Sequence, residues 1–266
     1  MAFQDYKPYK TFSQQDWVGF KWFVELFKQK EFLLSLRNTV GMSLISTALG
    51  YITAIILAVF MNEVRFISVK RFVQTVSYLP HFLSWVIVTG LVANVLVGDK
   101  TGILNSILLG LHLVDEPVQF LAKQSYFWHI IGWTYVWKEV GWNTIVYLGA
   151  MTAIDPCLYE AAQIDGASSL RQFFSITVPL LSPTTFFIVQ TRIIGALTVF
   201  DLMFMVMDKT NLALNKTQSI VYLFYTYAFT NGNRGYGAAI VMVLVVFIMI
   251  VTFFLQKLEK KIVYYN

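Results

Sequence analysis

Residues 159–183 read YEAAQIDGASSLRQFFSITVPLLSP, and the reading of this stretch decides what the chain is. Just before it, Asp155 and Pro156 form a helix opening, with Asp as N-cap and Pro at the first helical position. Leu158 to Ile164 then predicts a short helix. Gly166 permits a turn that a Cβ would hinder. Ala167 to Thr177 predicts a second helix, ended by Pro179 and Pro183. Ala161 and Ala162 are small enough for the first helix to seat deeply in a partner's groove, and Glu160 offers a carboxylate to a basic partner residue. An ordinary connection between helices does not call for this spacing.

Outward from this loop the chain is written for lipid. Of its 266 residues 57% are hydrophobic and only 13% charged, against about 25% charged in soluble domains. A spanning helix needs about 20 mostly apolar residues. Asn38 to Asn62 and Phe72 to Gly98 carry no charged residue, although His81 lies inside the second. Tyr126 to Ala150 is apolar and aromatic around Lys138 and Glu139, and Thr184 to Met207 is interrupted by Arg192 and Asp201. Gly235 to Gln256 is again free of charge. These segments predict an all-α, polytopic transmembrane helix bundle with five spans. The domain reading is an N-terminal segment, 1–37, followed by a membrane domain, 38–266, that includes the loop 155–183.

Trp17 to Leu36 differs from the spans. Phe20, Phe23, Val24 and Phe27 recur at helical spacing, while Lys21, Glu25, Lys28, Lys30 and Glu31 interrupt them. That pattern suits a helix lying in the membrane interface better than one crossing it. Gly98 to Ser125 reads as a loop with a short apolar piece, Ile103 to Leu111, and Asp208 to Arg234 as a polar loop. The single cysteine, Cys157, excludes an internal disulfide. The net charge of +5 reflects Lys and Arg at headgroups and does not point to nucleic acid. No apolar core of the signal-peptide kind opens the chain.

The sequence offers no catalytic machinery and no metal site. A phosphate-binding loop needs Gly-Lys after a glycine-rich turn, and the chain has no Gly-Lys. It has no His-Glu-x-x-His and no Gly-x-Ser-x-Gly, and His81, His112 and His129 are dispersed. A channel's repeated filter or charged ring is also missing. The charges inside spans, Lys138, Glu139, Arg192 and Asp201, are costly in lipid and belong in the interior. Lys138 and Glu139 stand about 100° apart on a helix, which argues against a simple pair. They serve either as structural ion pairs or as contacts along a substrate path, with Arg192 and Asp201 finding partners on other helices. Trp133, Tyr135, Trp137, Trp142 and Tyr147 suit stacking on sugar rings, and equally suit an aromatic belt or packing.

Glu160, Ala161, Ala162, Gly166, Ile176 and Pro179 together resemble the EAA loop of ABC-importer permeases. Further stretches, NEVRFISVKRFVQTVSYLPHFLSWVIV, WKEVGWNTIVYLGAMTAIDPCLYEAAQIDGA and GYGAAIVMVLVVFIMIV, resemble the carbohydrate-uptake branch that imports oligosaccharides and polysaccharide fragments. Val178 departs from the family's commoner Leu, conservatively. The resemblance implies a type I permease subunit of the bacterial cytoplasmic (inner) membrane. It implies Glu160, Ala161, Ala162, Asp165, Gly166, Ala167 and Leu170 as the residues that grip a cytoplasmic ABC ATPase dimer. That ATPase, not this chain, would use ATP and Mg; the chain itself would bind no cofactor. A second homologous permease, an extracytoplasmic solute-binding protein and an oligosaccharide complete the implied partners, and Lys138, Trp142, Asn143, Tyr147, Arg192 and Asp201 are the candidate substrate path. A permease for a non-sugar solute is the alternative, since the loop is shared among importers.

The family usually has six spans. AFQDYKPYK followed by WVGFKWF looks like the outside segment after its first span, so the expectation is a sixth span before residue 1 and residues 1–37 outside. The charge count runs against this orientation. Arg65, Lys70, Arg71, Arg171, Lys257, Lys260 and Lys261 give seven cations on the loop's side and eleven on the other, although the short flanks EVRFISVKR and KLEKK favour it.

Overall fold

The computed structural model describes residues 1–206 and 217–263. It is helical apart from a small antiparallel hairpin, the one sheet among the described residues, in which β1 (Gln4–Asp5) pairs with β2 (Asp16–Trp17). The helices are α1 (Lys21–Lys28), α2 (Lys30–Glu63), α3 (Ile67–Tyr78), α4 (Trp85–Val95), α5 (Ile103–Gly110), α6 (Gln124–Thr152) and α7 (Pro156–Ile164). There follow α8 (Ser169–Gln172), α9 (Val178–Leu180), α10 (Ser182–Leu197), α11 (Asp201–Val206), α12 (Ile220–Tyr225) and α13 (Arg234–Ile262). The chain forms two units. The first comprises Met1–Ile45, Ser84–Ile131 and Gly195–Val251; the second comprises Ser46–Leu83, Gly132–Ile194 and Thr252–Asn266.

By length and composition α2 and Arg234–Lys261 of α13 can each cross a membrane, and the number among the described residues rises to four if each of two bent pairs, Ile67–Phe82 with Trp85–Val95 (102°) and Ser169–Leu180 with Ser182–Leu197 (63°), counts as one span. α6 has 29 residues, about 44 Å at 1.5 Å per residue, and is less apolar because it carries Lys138 and Glu139. Each interruption has a local cause. Phe72 to Gly98 is not one helix: α3 passes into a 3₁₀ turn at Leu79–Phe82, where Pro80 lacks an N–H, and Leu83 and Ser84 are extended. Ser84 then caps α4, its Oγ accepting from the Ile87 N–H at 3.4 Å. The helix expected over Thr184 to Met207 ends at Leu197 and restarts at Asp201; Met207 lies outside the described residues.

Three further expectations are corrected. The helix expected from Asn38 starts at Lys30, because Glu31 is satisfied at that end: it accepts from Gln218 Nε2 at 2.8 Å and from the Tyr227 hydroxyl at 3.1 Å. The expected loop 208–234 contains α12 and a π-helical turn at Thr226–Thr230, while 207–216 lie outside the described residues. Pro179 does not end the helix after Gly166. A π-helical turn at Phe173–Thr177 carries the chain through it to Leu180, and Pro183 falls in the first turn of α10. The wider turn makes room for the proline ring, which would clash with the carbonyl four residues back.

Each unit has its own packed interior. In the first, Trp22, Leu26 and Phe32 meet Ile220, Leu223, Tyr236, Ala239 and Ile240. A polar seam holds the same elements: Asn38 Nδ2 donates to the Gln218 carbonyl at 3.3 Å, and the Ile220 N–H donates to Thr39 Oγ1 at 2.9 Å. In the second, Ala54, Ile55, Ala58 and Met61 of α2 pack on Tyr147, Leu148 and Met151 of α6, and on Leu181 and Ile188. Lipid is as apolar as leucine, so helices associate there through close packing of small residues rather than hydrophobic expulsion. Gly141 shows this: a Cβ there would fall on the Ser77 carbonyl of α3, whereas one at Gly149 would meet nothing. Gly141→Ala should therefore destabilise the detergent-purified protein by about 1–3 kcal/mol, read as a lower thermal midpoint, while Gly149→Ala leaves it unchanged. An unshifted Gly141→Ala would contradict this contact.

Candidate functional site

The loop 155–183 folds as a capped helix–turn–helix. Asp155 Oδ1 accepts from the Cys157 N–H at 2.9 Å and Pro156 opens α7, as its sequence predicts. Gly166 has φ +74, the left-handed conformation for which a Cβ is unfavourable. The Ala167 N–H reaches the Ala162 carbonyl at 2.8 Å and the Gly166 N–H the Gln163 carbonyl at 3.0 Å, a Schellman closure that uses up the last carbonyls of α7. Ser168 then caps α8, with its Oγ accepting from the Arg171 N–H at 3.4 Å. Gln172 Nε2 donates to the Ala167 carbonyl at 2.9 Å, and the Tyr159 and Thr177 hydroxyls meet at 2.9 Å across the turn.

This turn is tightly made yet bare. Glu160, Ala161, Asp165, Gly166 and Leu170 are exposed, and Ala162 and Ala167 half-buried. Ile164 and Leu170 present apolar side chains that are 87% and 72% exposed. Behind the turn, a cleft of about 740 Å³ lies between the end of α2 (Ile56, Phe60, Glu63) and Tyr159, Gln163 and Phe173. A rigid, small-residue surface with two exposed aliphatic anchors is what an interface core needs before its partner arrives.

A second cluster lies in the interior of the second unit. Glu139 Oε2 meets His81 Nδ1 at 2.9 Å, and Lys138 Nζ donates to the His81 carbonyl at 2.7 Å. Lys138 also reaches Glu139 Oε1 at 3.6 Å. The helical-wheel argument against a pair is thus corrected: the lysine stem is long enough to bring both charges to the break after α3. The His81 ring lies parallel to those of Tyr78 and Trp142, with centroids 5.6 and 5.1 Å away. Glu139 was weighed from the sequence as an interior charge, whereas Tyr78 and His81 were not among the candidate residues. The signal for His81 was its place in an uncharged run beside a proline.

Arg192 stands apart from that cluster. Its Nη2 donates to the Ser46 carbonyl at 3.4 Å and its guanidinium lies 5.0 Å from the Tyr135 ring centre. Gly50 makes the space, since a Cβ there would come within 2.7 Å of Nη2. Asn143 is buried, and its Nδ2 has no hydrogen-bond partner among the described residues. Tyr147 is fully buried, its hydroxyl donating to Thr185 Oγ1 at 3.1 Å, so it packs the core. Asp201 belongs to the first unit, where it opens α11 as an exposed carboxylate.

Helices apolar enough for lipid, joined by a capped and exposed helix–turn–helix, describe a membrane protein. Residues 48–264 match the family of the binding-protein-dependent transport system inner membrane component, and the chain belongs to that family. It is an inner-membrane permease subunit of an ABC transporter. It is 37% identical over 235 residues to the polygalacturonan/rhamnogalacturonan transport system permease protein YteP of Bacillus subtilis (strain 168), covering 88% of this chain and 70% of that one. Its fold superposes with a TM-score of 0.87 and 32% identity on a bacterial ABC transporter involved in the import of the acidic polysaccharide alginate, covering 94% of this chain and 86% of the other. It superposes with a TM-score of 0.85 and 32% identity, over 93% and 85% of the two chains, on a bacterial alginate ABC transporter in complex with an alginate pentasaccharide-bound periplasmic protein.

Asp155 leaves a chemical signature on this loop. Its hydrogen bond to the Cys157 side chain, and then its charge, hold the Cys157 thiol above the usual range. Removing the charge lowers that value, so more thiolate exists at neutral pH. Asp155→Asn keeps the cap and should speed alkylation of Cys157 by iodoacetamide at pH 7, with the difference closing at high pH where both thiols are ionised. Equal rates at neutral pH would contradict the contact.

Proposed function

We propose that this chain is one of two homologous permease subunits of a bacterial ATP-driven importer of oligosaccharides, with α7, Gly166 and α8 as its contact to a cytoplasmic ABC ATPase dimer. The bare, Schellman-closed turn carries this reading. Glu160 offers charge to a basic partner. Ala161, Ala162 and Ala167 allow close approach, Leu170 supplies an anchor, and Asp165 and Gly166 set the turn. ATP-driven closure of the ATPase dimer would move this turn, and the helical path through the π turn and the bend at Leu181 into α10 would carry the motion to the membrane. Five crossings fit the helices: α2, the interrupted α3–α4 pair, α6, the pair joined at Leu181, and α13. An extracytoplasmic binding protein would deliver the sugar.

Replacing Gly166 by Val puts a β-branched residue at positive φ, costing about 1–2 kcal/mol or more at the turn. Gly166→Val and Glu160→Lys should leave the protein inserted but abolish ATPase co-purification and stimulated hydrolysis in liposomes. Normal coupling in both variants would overturn the assignment of this turn.

The relatives point the substrate towards acidic polysaccharide fragments: polygalacturonan and rhamnogalacturonan for one, alginate for the other. Within this chain Lys138 is already committed to Glu139 and the His81 carbonyl, whereas Arg192 rests on a carbonyl and a ring with no carboxylate in ion-pair contact among the described residues. Arg192 is therefore the cation proposed to attract uronate groups, with Trp142 as a stacking face and Asn143 as a hydrogen-bonding group. Arg192→Gln should cut uptake of an oligogalacturonate by tenfold or more, about 1.4 kcal/mol in transport selectivity, and spare a neutral oligosaccharide. Equal losses for both would assign Arg192 a structural role only.

A further inference from the structure

α1 has a wider apolar arc than the protein covers. Trp22 and Leu26 are buried against α12 and α13. At about 100° per residue, Phe20, Val24 and Phe27 fall together on an adjoining face, and they are 69%, 53% and 54% exposed. Lys21, Glu25 and Lys28 take the remaining arc. The bare face continues into the hairpin: the Phe20 ring meets Phe3 edge-on at 5.4 Å, and Phe3 stacks at 5.6 Å on Trp17, itself 71% exposed.

What covers this face follows from where α1 sits. One residue, Gln29, separates it from α2, and its buried face packs on the first turns of α13. The Trp22 ring meets that of Tyr236 at 6.0 Å, and the Tyr236 hydroxyl donates to Gln29 Oε1 at 2.8 Å. Among the described residues, α2 and α13 are the two single helices long and apolar enough to cross a membrane. α1 therefore lies where two spans begin, at the depth of the headgroups. Lys21 and Lys28 edge the bare face, from which ammonium groups reach phosphates while their stems stay with the acyl chains. Lys28 makes no ion pair among the described residues.

We propose that α1, together with Trp17, is an interfacial anchor, with Phe20, Val24 and Phe27 buried in the glycerophospholipid headgroup–acyl boundary of the leaflet at which α2 and α13 begin. Such a helix inserts about 5–10 Å. Because α1 is tied to the starts of both spans, the anchor sets their depth in the bilayer. The inference is independent of the substrate and of the ATPase contact.

The test is spin-label accessibility in the complete transporter reconstituted in phospholipid nanodiscs, on a Cys157→Ser background. Single cysteines replace Phe20, Val24 and Phe27, with Lys21 and Glu25 for comparison. Labels at 20, 24 and 27 should relax more strongly with lipid-soluble oxygen than with a water-soluble nickel chelate, and labels at 21 and 25 the reverse. Adding the binding protein should not change the order. Nickel dominance at 20, 24 and 27 overturns the anchor. So does low accessibility to both agents, which would show that another protein covers the face.

Discussion

A bilayer offers no hydrogen bonds, so each polar group that enters it must be satisfied by the chain itself. That constraint shapes this protein. It explains why the described chain is helical, why α3 gives out beside Pro80, and why Lys138 and Glu139 are gathered at that break. Lys138, Glu139 and the His81 carbonyl form one compact group at the place where α3 has run out of helical partners. Arg192 is held by a backbone carbonyl and an aromatic face, in a space that only Gly50 leaves open.

The loop outside the spans follows a different economy. Water could satisfy its backbone, yet Asp155, Ser168, Gln172 and the Gly166 turn bond several of its N–H and carbonyl groups internally. The result is a stiff turn whose aliphatic anchors remain uncovered. Stiffness matters because a contact that transmits motion must not absorb it. The π turn at Phe173–Thr177 keeps the chain helical past Pro179, so the turn is joined to α10 across a single bend of 63° at Leu181.

Much of this was legible in the sequence. The Asp-Pro opening and the glycine turn were predicted from local rules and found in place, because capping and positive φ depend on neighbours in the chain; the helix after Gly166 was expected to end at Pro179, and a π turn carries it past. What was not legible depended on distant neighbours. The start of α2 at Lys30 relies on Gln218 and Tyr227, far away in sequence. The Lys138–His81 contact relies on a carbonyl left free after α3, where Leu83 and Ser84 turn extended. A helical wheel places side-chain roots and says nothing of where a lysine's four-carbon stem will reach. The substrate-path residues divide for the same reason: Tyr147 is spent on the core, while Lys138 and Trp142 meet around a histidine that periodicity alone did not mark.

The central claim is that α7 and its turn are covered by an ATPase in the working transporter. Cys157, the only cysteine, lies exposed on α7 and reports on that claim without any substitution. The direct measurement is its maleimide labelling in inside-out membrane vesicles, with and without the co-expressed ATPase. Protection that appears with the ATPase and is lost when the ATPase is stripped away is the predicted result. Equal labelling in both preparations would contradict the account.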